Sequence, residues 1–520
     1  MKKTWIALLL ALCMLTALGS ASACCGDDCY TIQSAMDEKQ VTEGDCACTK
    51  DGMGDCPCAG GMCGEDCMCM DGMSCMKDGM TAEDCACERE CVCEDSCACV
   101  QKKLEMLQDE LNAVFEKLYG TKDAEMQKAR YIRTIHNFEA DYGIDRDVSL
   151  FSVPGRSEIS GNHTDHNRGR VLAAAINLDT LSAVSARDDM MVEIHSDGYP
   201  AIKVDLGSLD VVEKEKGKTH AVRGVAARMA ELGYKIGGFN AAVTSNVMSG
   251  SGLSSSAAFE VMTCAIFDAL YNGFTIDYKT RAKISQYAEN VYFGKPSGLL
   301  DQMASSAGGL VTVDFKHDDP DVRPMHFDFA KYGYSLVVVA TGGNHADLTD
   351  DYAAIPAEMK KVAALFNEPY LRRVRPEEFY QALPTLRGKV SDRALLRAMH
   401  FFEEDERVVR QVAALDRNDL FAFLWEIICS GRSSYMYLQN VYANPKDQSL
   451  SLALAMAEHM MLDKDGAWRV HGGGFAGTTL NFVPDKLLNQ FIETMEGTFG
   501  EHCCNVLDIR PEGAAVLRLE

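Results

Sequence analysis

The chain has 520 residues, 47% hydrophobic and 24% charged, so most of it can bury a core and two or more domains are expected. Its net charge is −25 and no basic patch stands out, which argues against nucleic-acid binding. Acid and cysteine are concentrated at one end: residues 1–100 hold 18 Asp/Glu against 6 Lys/Arg, and 18 of the 22 cysteines lie before residue 100.

Residues 1–23 read as a signal peptide. Lys2 and Lys3 precede the apolar run "WIALLLALCMLTAL", and Ala21-Ser22-Ala23 forms a small-residue cleavage site. The run is short for a membrane span. Cys24 follows at once, in the place of a lipid-modified cysteine, although Ala21 stands where a lipobox usually has Leu. Residues 24–99 form an acidic low-complexity tract with six C-x-C pairs and Tyr30 as its one aromatic residue, so it lacks the material for an apolar core. Three readings stay open: thiolates that bind soft metals in the manner of a metallothionein, an oxidised mini-domain, or a disordered acidic tail foreign to the rest of the chain. The other cysteines, Cys264, Cys429, Cys503 and Cys504, resemble the ordinary complement of a reduced protein.

Composition becomes globular near residue 100. Leu104, Leu107, Leu111, Val114 and Leu118 predict an amphipathic helix over 101–120. "GRSEISGNHTDHNRG", residues 155–169, then places Asn162, His163, Asp165 and His166 within five positions. Such a cluster can hold a metal, hold a sugar or make a polar turn, and the H-E-x-x-H spacing of a zinc site is absent. "MMVEIHSDGYPAIKVDL" predicts a hairpin turning at Asp197-Gly198, and the alternation from Phe239 predicts a half-buried strand.

In "MSGSGLSSSAAFEVMTCAIFDALY", Leu253, Ala257, Val261, Ala265 and Ala269 recur every four residues, so a strand passes through a Gly-Ser loop into a helix. The free N–H groups and dipole of such a helix start suit an anion, and Gly250 and Gly252 let backbone approach a phosphate. The Walker lysine is missing, and a serine cap on a structural helix is the alternative. Glu289 ends the next helical stretch and Asp301 follows twelve residues later. Beside a phosphate loop, one carboxylate could hold Mg²⁺ and the other accept a hydroxyl proton; as isolated residues they could equally be surface charges. "HGGGFAG", residues 471–477, fits G-x-G-x-x-G formally, but a strand-like "TTLNFVP" follows it, so a turn closing over a site fits better than a dinucleotide fingerprint.

Together these segments resemble the galactokinases of the GHMP superfamily, with a similarity to their clostridial-type branch in "GNHTDH". "PGRSEISGNHTDHNRG" resembles the family's sugar motif, "SGSGLSSSAA" its ATP-phosphate motif, "GLLDQ" the segment of its catalytic aspartate and "GGGFAG" its third motif; "TGGNHADLTDDYAAIPAEM" is also similar. The resemblance covers about residues 100–520 and implies an α+β fold of two lobes, 100–325 and 326–520, with the active site in the cleft between them. It implies Asp301 as catalytic base, with Arg156 beside it stabilising transition-state charge. Asn162, His163, Thr164, Asp165 and Tyr352 would hold the sugar. Gly250, Ser251, Gly252, Leu253, Ser254, Ser255 and Ser256 would wrap the phosphates of ATP. Gly472, Gly473 and Gly474 would close over the triphosphate, and Ser256 and Glu289 would bind Mg²⁺.

Asn162 departs from the Glu of the family's usual E-H-T-D, which leaves arabinose and N-acetylgalactosamine as alternative sugars to galactose. A non-catalytic galactose sensor on the same fold is a further alternative, although Arg156 and Asp301 are both retained. A kinase using ATP and Mg²⁺ is expected in the cytoplasm without stable membrane association, which conflicts with the leader-like residues 1–23.

Overall fold

The computed structural model describes residues 112–120, 124–144, 146–212, 217–247, 252–294, 297–342, 348–475 and 477–517. The leader, the Cys-rich tract and most of the helix expected over 101–120 lie outside the described residues; 112–119 are helical. The chain divides into two units, Met1–Glu116 and Lys117–Glu520, and the site belongs to the second.

The second unit begins with α1 (Ala124–Tyr142), followed by β1 (Ser149–Ser160), β2 (Arg170–Ala186), β3 (Met191–Ser196) and β4 (Ile202–Asp205). The β3–β4 pair is the hairpin expected around Asp197-Gly198, with Gly198 at positive φ in its turn. Then come α2 (Lys218–Glu231), β5 (Phe239–Ser245), α3 (Ser255–Tyr271), α4 (Tyr278–Tyr287), α5 (Leu300–Ala307), β6 (Leu310–Asp314) and β7 (Asp321–Met325). These strands form one sheet in the order β4-β3-β5-β2-β1, and only β3 and β5 run parallel. The 17-residue β2 is long enough to pair β6 with its first half and β5 with its second. Phe151, Val153, Val184, Val192 and Phe239 on the strands pack against Val261, Ala265 and Phe267 of α3.

The second sheet starts with β8 (Tyr334–Ala340). Helices α6 (Thr349–Ala364), α7 (Pro376–Leu386), α8 (Asp392–Asp416), α9 (Leu420–Ser433) and α10 (Ser449–Met461) follow, then β9 (Ala467–His471), β10 (Thr478–Pro484), α11 (Leu488–Phe499) and β11 (Cys504–Leu507). Its order is β11-β8-β10-β9. The final strand, β12 (Ala515–Leu517), returns to the first sheet and pairs with β1, so the chain after 326 is not confined to the second sheet. One apolar core joins both sheets: Ile159, Leu172 and Ile176 pack with Val337, Val339, Phe423, Ile427, Leu480 and Phe482.

Two irregularities aim side chains. The β1–β2 register shifts between Pro154 and Arg156 and again between Glu158 and Ser160, the bulged geometry that redirects side chains beside functional sites. After α4 the helix widens into a π turn over Ala288–Tyr292, which carries Glu289.

Candidate active site

β1 brings Arg156 to the start of α3 and α5. Its backbone N–H donates to Leu253 O at 3.1 Å, its Nε to Asp301 Oδ1 at 2.6 Å, and its Nη1 to Gly252 O. Burial disfavours the guanidinium charge, but Asp301, Glu158 and Asp165 more than offset that, so the arginine holds its proton more firmly than usual. Asp301 sits in the first turn of α5, and Ser254 Oγ donates to its other oxygen. Ser254 holds a left-handed backbone at the N-cap of α3, and its hydroxyl goes to the carboxylate rather than capping the helix.

Ser256, one residue into α3, donates to Glu289 Oε1 at 3.4 Å, and Glu289 is buried. The structure therefore brings together Arg156, Asp301, Ser254, Ser256 and Glu289. Gly250 and Ser251, expected in the phosphate loop, lie outside the described residues. Leu253 is fully buried in the inter-sheet core, and Ser255 opens α3.

The 472–474 turn lies on the other wall. Gly252 faces His471 and Thr478 at its base, and Gly472 approaches Gly252 O. Gly474 has φ +78, and a Cβ there would lie 2.1 Å from Asn440 O, so both backbone shape and space require glycine. Tyr352 of α6 leans on Gly473, donates its hydroxyl to Gly474 O at 2.8 Å and packs edge-on against Phe475. Burial pushes its phenol up to about 12. His471 accepts from the Glu158 N–H at Nε2 (3.3 Å), so Nδ1 carries the proton and faces Thr478 Oγ1 at 3.0 Å. Burial, Arg156 and Arg469 push its pKa well below the usual imidazole range.

In the 161–169 turn the sugar-binding expectations divide. Asp165 is half-buried; its Oδ1 accepts from His166 N at 2.9 Å, while its Oδ2 lies against Gly298, three residues before Asp301. His163 donates from Nε2 to Gly473 O at 3.0 Å; burial and the neighbouring His166 lower its pKa to about 3.

Two further residues of the sugar expectation are bonded within the protein. Thr164 is fully buried and its hydroxyl donates to Gly161 O at 2.9 Å, so it closes the turn. Asn162 is also fully buried, and its amide is saturated by protein. Nδ2 donates to Glu158 Oε1 at 2.9 Å and to Gly472 O at 2.6 Å; Oδ1 accepts from Ser434 Oγ at 3.2 Å and Asn440 Nδ2 at 2.9 Å. Two donors and two acceptor positions are thus filled by protein groups.

Several participants were not singled out by motif. Glu158 pairs with Arg469 at 2.7 Å beneath Asn162. Buried Glu404 of α8 accepts from Ser430 Oγ at 2.6 Å, from Gly161 N at 3.2 Å and from Arg407. Burial works to raise its pKa, but Arg407, His400, Arg469 and the Ser430 hydroxyl outweigh that and hold it at about 2. These groups fix the turn from the second-sheet side. Among the described residues no group of three or more His, Cys, Asp or Glu is placed to hold a metal ion.

The GHMP kinases N terminal domain matches residues 220–309, which contain the α3 loop, the Glu289 turn and Asp301. Fold and site therefore define a GHMP-class small-molecule kinase. The galactokinase galactose-binding signature matches residues 136–186. Galactokinase of Streptomyces coelicolor is 33% identical over 370 residues, 70% of this chain and 91% of that protein; that of Clostridium tetani is 28% identical over 366 residues, 68% and 88%. The chain belongs to the galactokinase family; the similarity does not single out its clostridial branch. The crystal structure of Lactococcus lactis galactokinase complexed with galactose superposes with a TM-score of 0.64 at 24% identity, covering 73% of this chain and 98% of that one, and shows the common fold.

Proposed function

We infer that this protein transfers the γ-phosphoryl group of ATP to the anomeric hydroxyl of galactose. The observation that carries the reading is Asp301 held between Arg156 Nε and Ser254 Oγ at the starts of α3 and α5. Phosphoryl transfer needs positioning and charge stabilisation more than covalent chemistry. Asp301 takes the proton of the anomeric hydroxyl, which is more acidic than an ordinary alcohol. Arg156 pairs with that carboxylate and offsets charge growing on the transferred group. Asp165, His163 and Tyr352 surround the sugar. Asn162 and Thr164 serve it indirectly, by holding the turn that carries Asp165.

The phosphates lie at the N-terminus of α3, along Gly252–Ser256 and under Gly472–Gly474. Ser256 and Glu289 would hold Mg²⁺: both offer hard oxygen donors, and they lie side by side at the start of α3. When bound, the ion neutralises charge on the nucleotide phosphates. The reaction belongs in the cytoplasm, where ATP is plentiful. The four described cysteines are free thiols, which suits that compartment. No helix among the described residues is long and apolar enough to cross a membrane.

Purified protein with ATP, MgCl₂ and a sugar panel tests the reading through ADP release. Galactose is expected to raise ADP far above the no-sugar control. No rise with galactose overturns the substrate, and a rise with arabinose or N-acetylgalactosamine instead moves it to that sugar.

A further inference from the structure

We propose that Gln302 is a positioning residue that sets the carboxylate of Glu289 for metal binding by tying it, through one amide, to a second buried carboxylate, Glu260. Gln302 follows Asp301 in the first turn of α5 and is fully buried. Its Nε2 donates to Glu289 Oε2 at 2.8 Å and to Glu260 Oε2 at 3.1 Å. Each of these carboxylate oxygens accepts, so the two amide hydrogens are divided between the two acids and the amide's orientation is fixed. Gln302 Oε1 is buried with no hydrogen-bond partner. That orphaned acceptor is unfavourable, so the two carboxylates, not the glutamine's own best bonding, dictate its orientation.

Three elements meet here. Glu260 lies four residues after Ser256 and therefore on the same face of α3; Glu289 comes from the π turn; Gln302 comes from α5. With Glu289 Oε2 engaged by the amide, Oε1 is turned toward Ser256 Oγ at 3.4 Å. Without the amide, Glu289 would lose the donor that ties its Oε2 to α5 and to Glu260, and its Oε1 would no longer be held toward Ser256. Because Gln302 adjoins Asp301, one helical turn aims both the base and the metal-binding carboxylate. The proposal rests on the reading of Ser256 and Glu289 as Mg²⁺ ligands.

The test measures the affinity of the full chain for a non-hydrolysable ATP analogue by calorimetry, with saturating Mg²⁺ and with EDTA. The ratio of the two affinities reports metal binding without any turnover. Gln302→Met is expected to lower this ratio about tenfold, the usual consequence of removing a group that orients a metal ligand, while galactose affinity stays within about twofold. A purely structural role would instead weaken galactose binding and metal-free nucleotide binding as well. Gln302→Asn keeps the amide but is one methylene too short to span both acids; it is expected to lower the ratio too and serves where Gln302→Met does not fold. Glu289→Gln separates the two levels of the argument. An unchanged ratio in Glu289→Gln overturns the metal reading. A ratio lowered by Glu289→Gln but unchanged in the folded Gln302 variants overturns the role of Gln302 alone.

Discussion

Arg156 Nε and Asp301 Oδ1 lie 2.6 Å apart, across 145 residues of chain, with the arginine almost wholly buried. A charge-assisted bond of this kind fixes the direction of the carboxylate. Asp301→Asn is expected to lower kcat about a hundredfold or more, in the range for loss of a general base, with little effect on nucleotide affinity. Arg156→Lys keeps the charge but cannot bond Asp301 and Gly252 O together from a planar fork, so kcat should fall by about the same factor. ADP release at saturating galactose checks both. Near-normal kcat in Asp301→Asn would remove the base assignment.

Asn162 gives a second prediction, because reversal toward the family's usual Glu fails here. A carboxylate at 162 would face Glu158 and the carbonyl of Gly472, and would lose two donated bonds. Asn162→Glu is expected to destabilise the fold by about 3 kcal/mol or more, the scale for an unpaired buried charge. Denaturant unfolding measures it. Unchanged stability together with a new sugar preference would show that position 162 faces the substrate after all.

The Asn162 result also shows where sequence reading reaches its limit. The 155–169 turn, the serine-led start of α3, Asp301 and the glycine turn are local patterns, and each stands where its spacing indicated. The role of Asn162 depends on Ser434, Asn440 and Gly472, which lie 272 to 310 residues away, and no local pattern encodes such partners. Glu404 is similar: it lies in the middle of a helix with nothing in its neighbours to mark it, yet it holds the turn carrying Asp165. Gln302 did carry a signal, its place beside Asp301. The return of β12 to β1 had none, because three residues of strand are too few for a periodicity.

Gly298 yields a third prediction. A Cβ built there would lie 1.6 Å from Asp165 Oδ2, the mobile end of a side chain, so an alanine displaces the carboxylate and leaves the backbone in place. Gly298→Ala is expected to raise the KM for galactose about tenfold or more, consistent with losing one positioned polar contact, and to move Tm little. Steady-state kinetics with galactose varied, beside a thermal melt, separates the two effects. An unchanged KM would place Asp165 away from the sugar.

Three histidines around the site predict how stability depends on pH. Burial is the leading cause that lowers the pKa of each of His163, His400 and His471, with the value for His163 near 3 against an ordinary 6.5. In the unfolded chain these rings regain protons as pH falls through about 6.5, while in the folded chain they stay neutral. The unfolded state therefore binds more protons below that point. Stability is fully present above about pH 6.5 and declines toward pH 3. Glu404 adds to the decline only below its ordinary value of 4.5, since its folded pKa is about 2. Calorimetry should accordingly give a Tm that is flat between about pH 8 and 7 and falls between about pH 6.5 and 5, before most carboxylates titrate. His163→Gln, whose amide N–H can still donate to Gly473 O, should shrink that fall. A Tm that stays level down to about pH 5 would mean these rings are protonated or solvated in the folded protein.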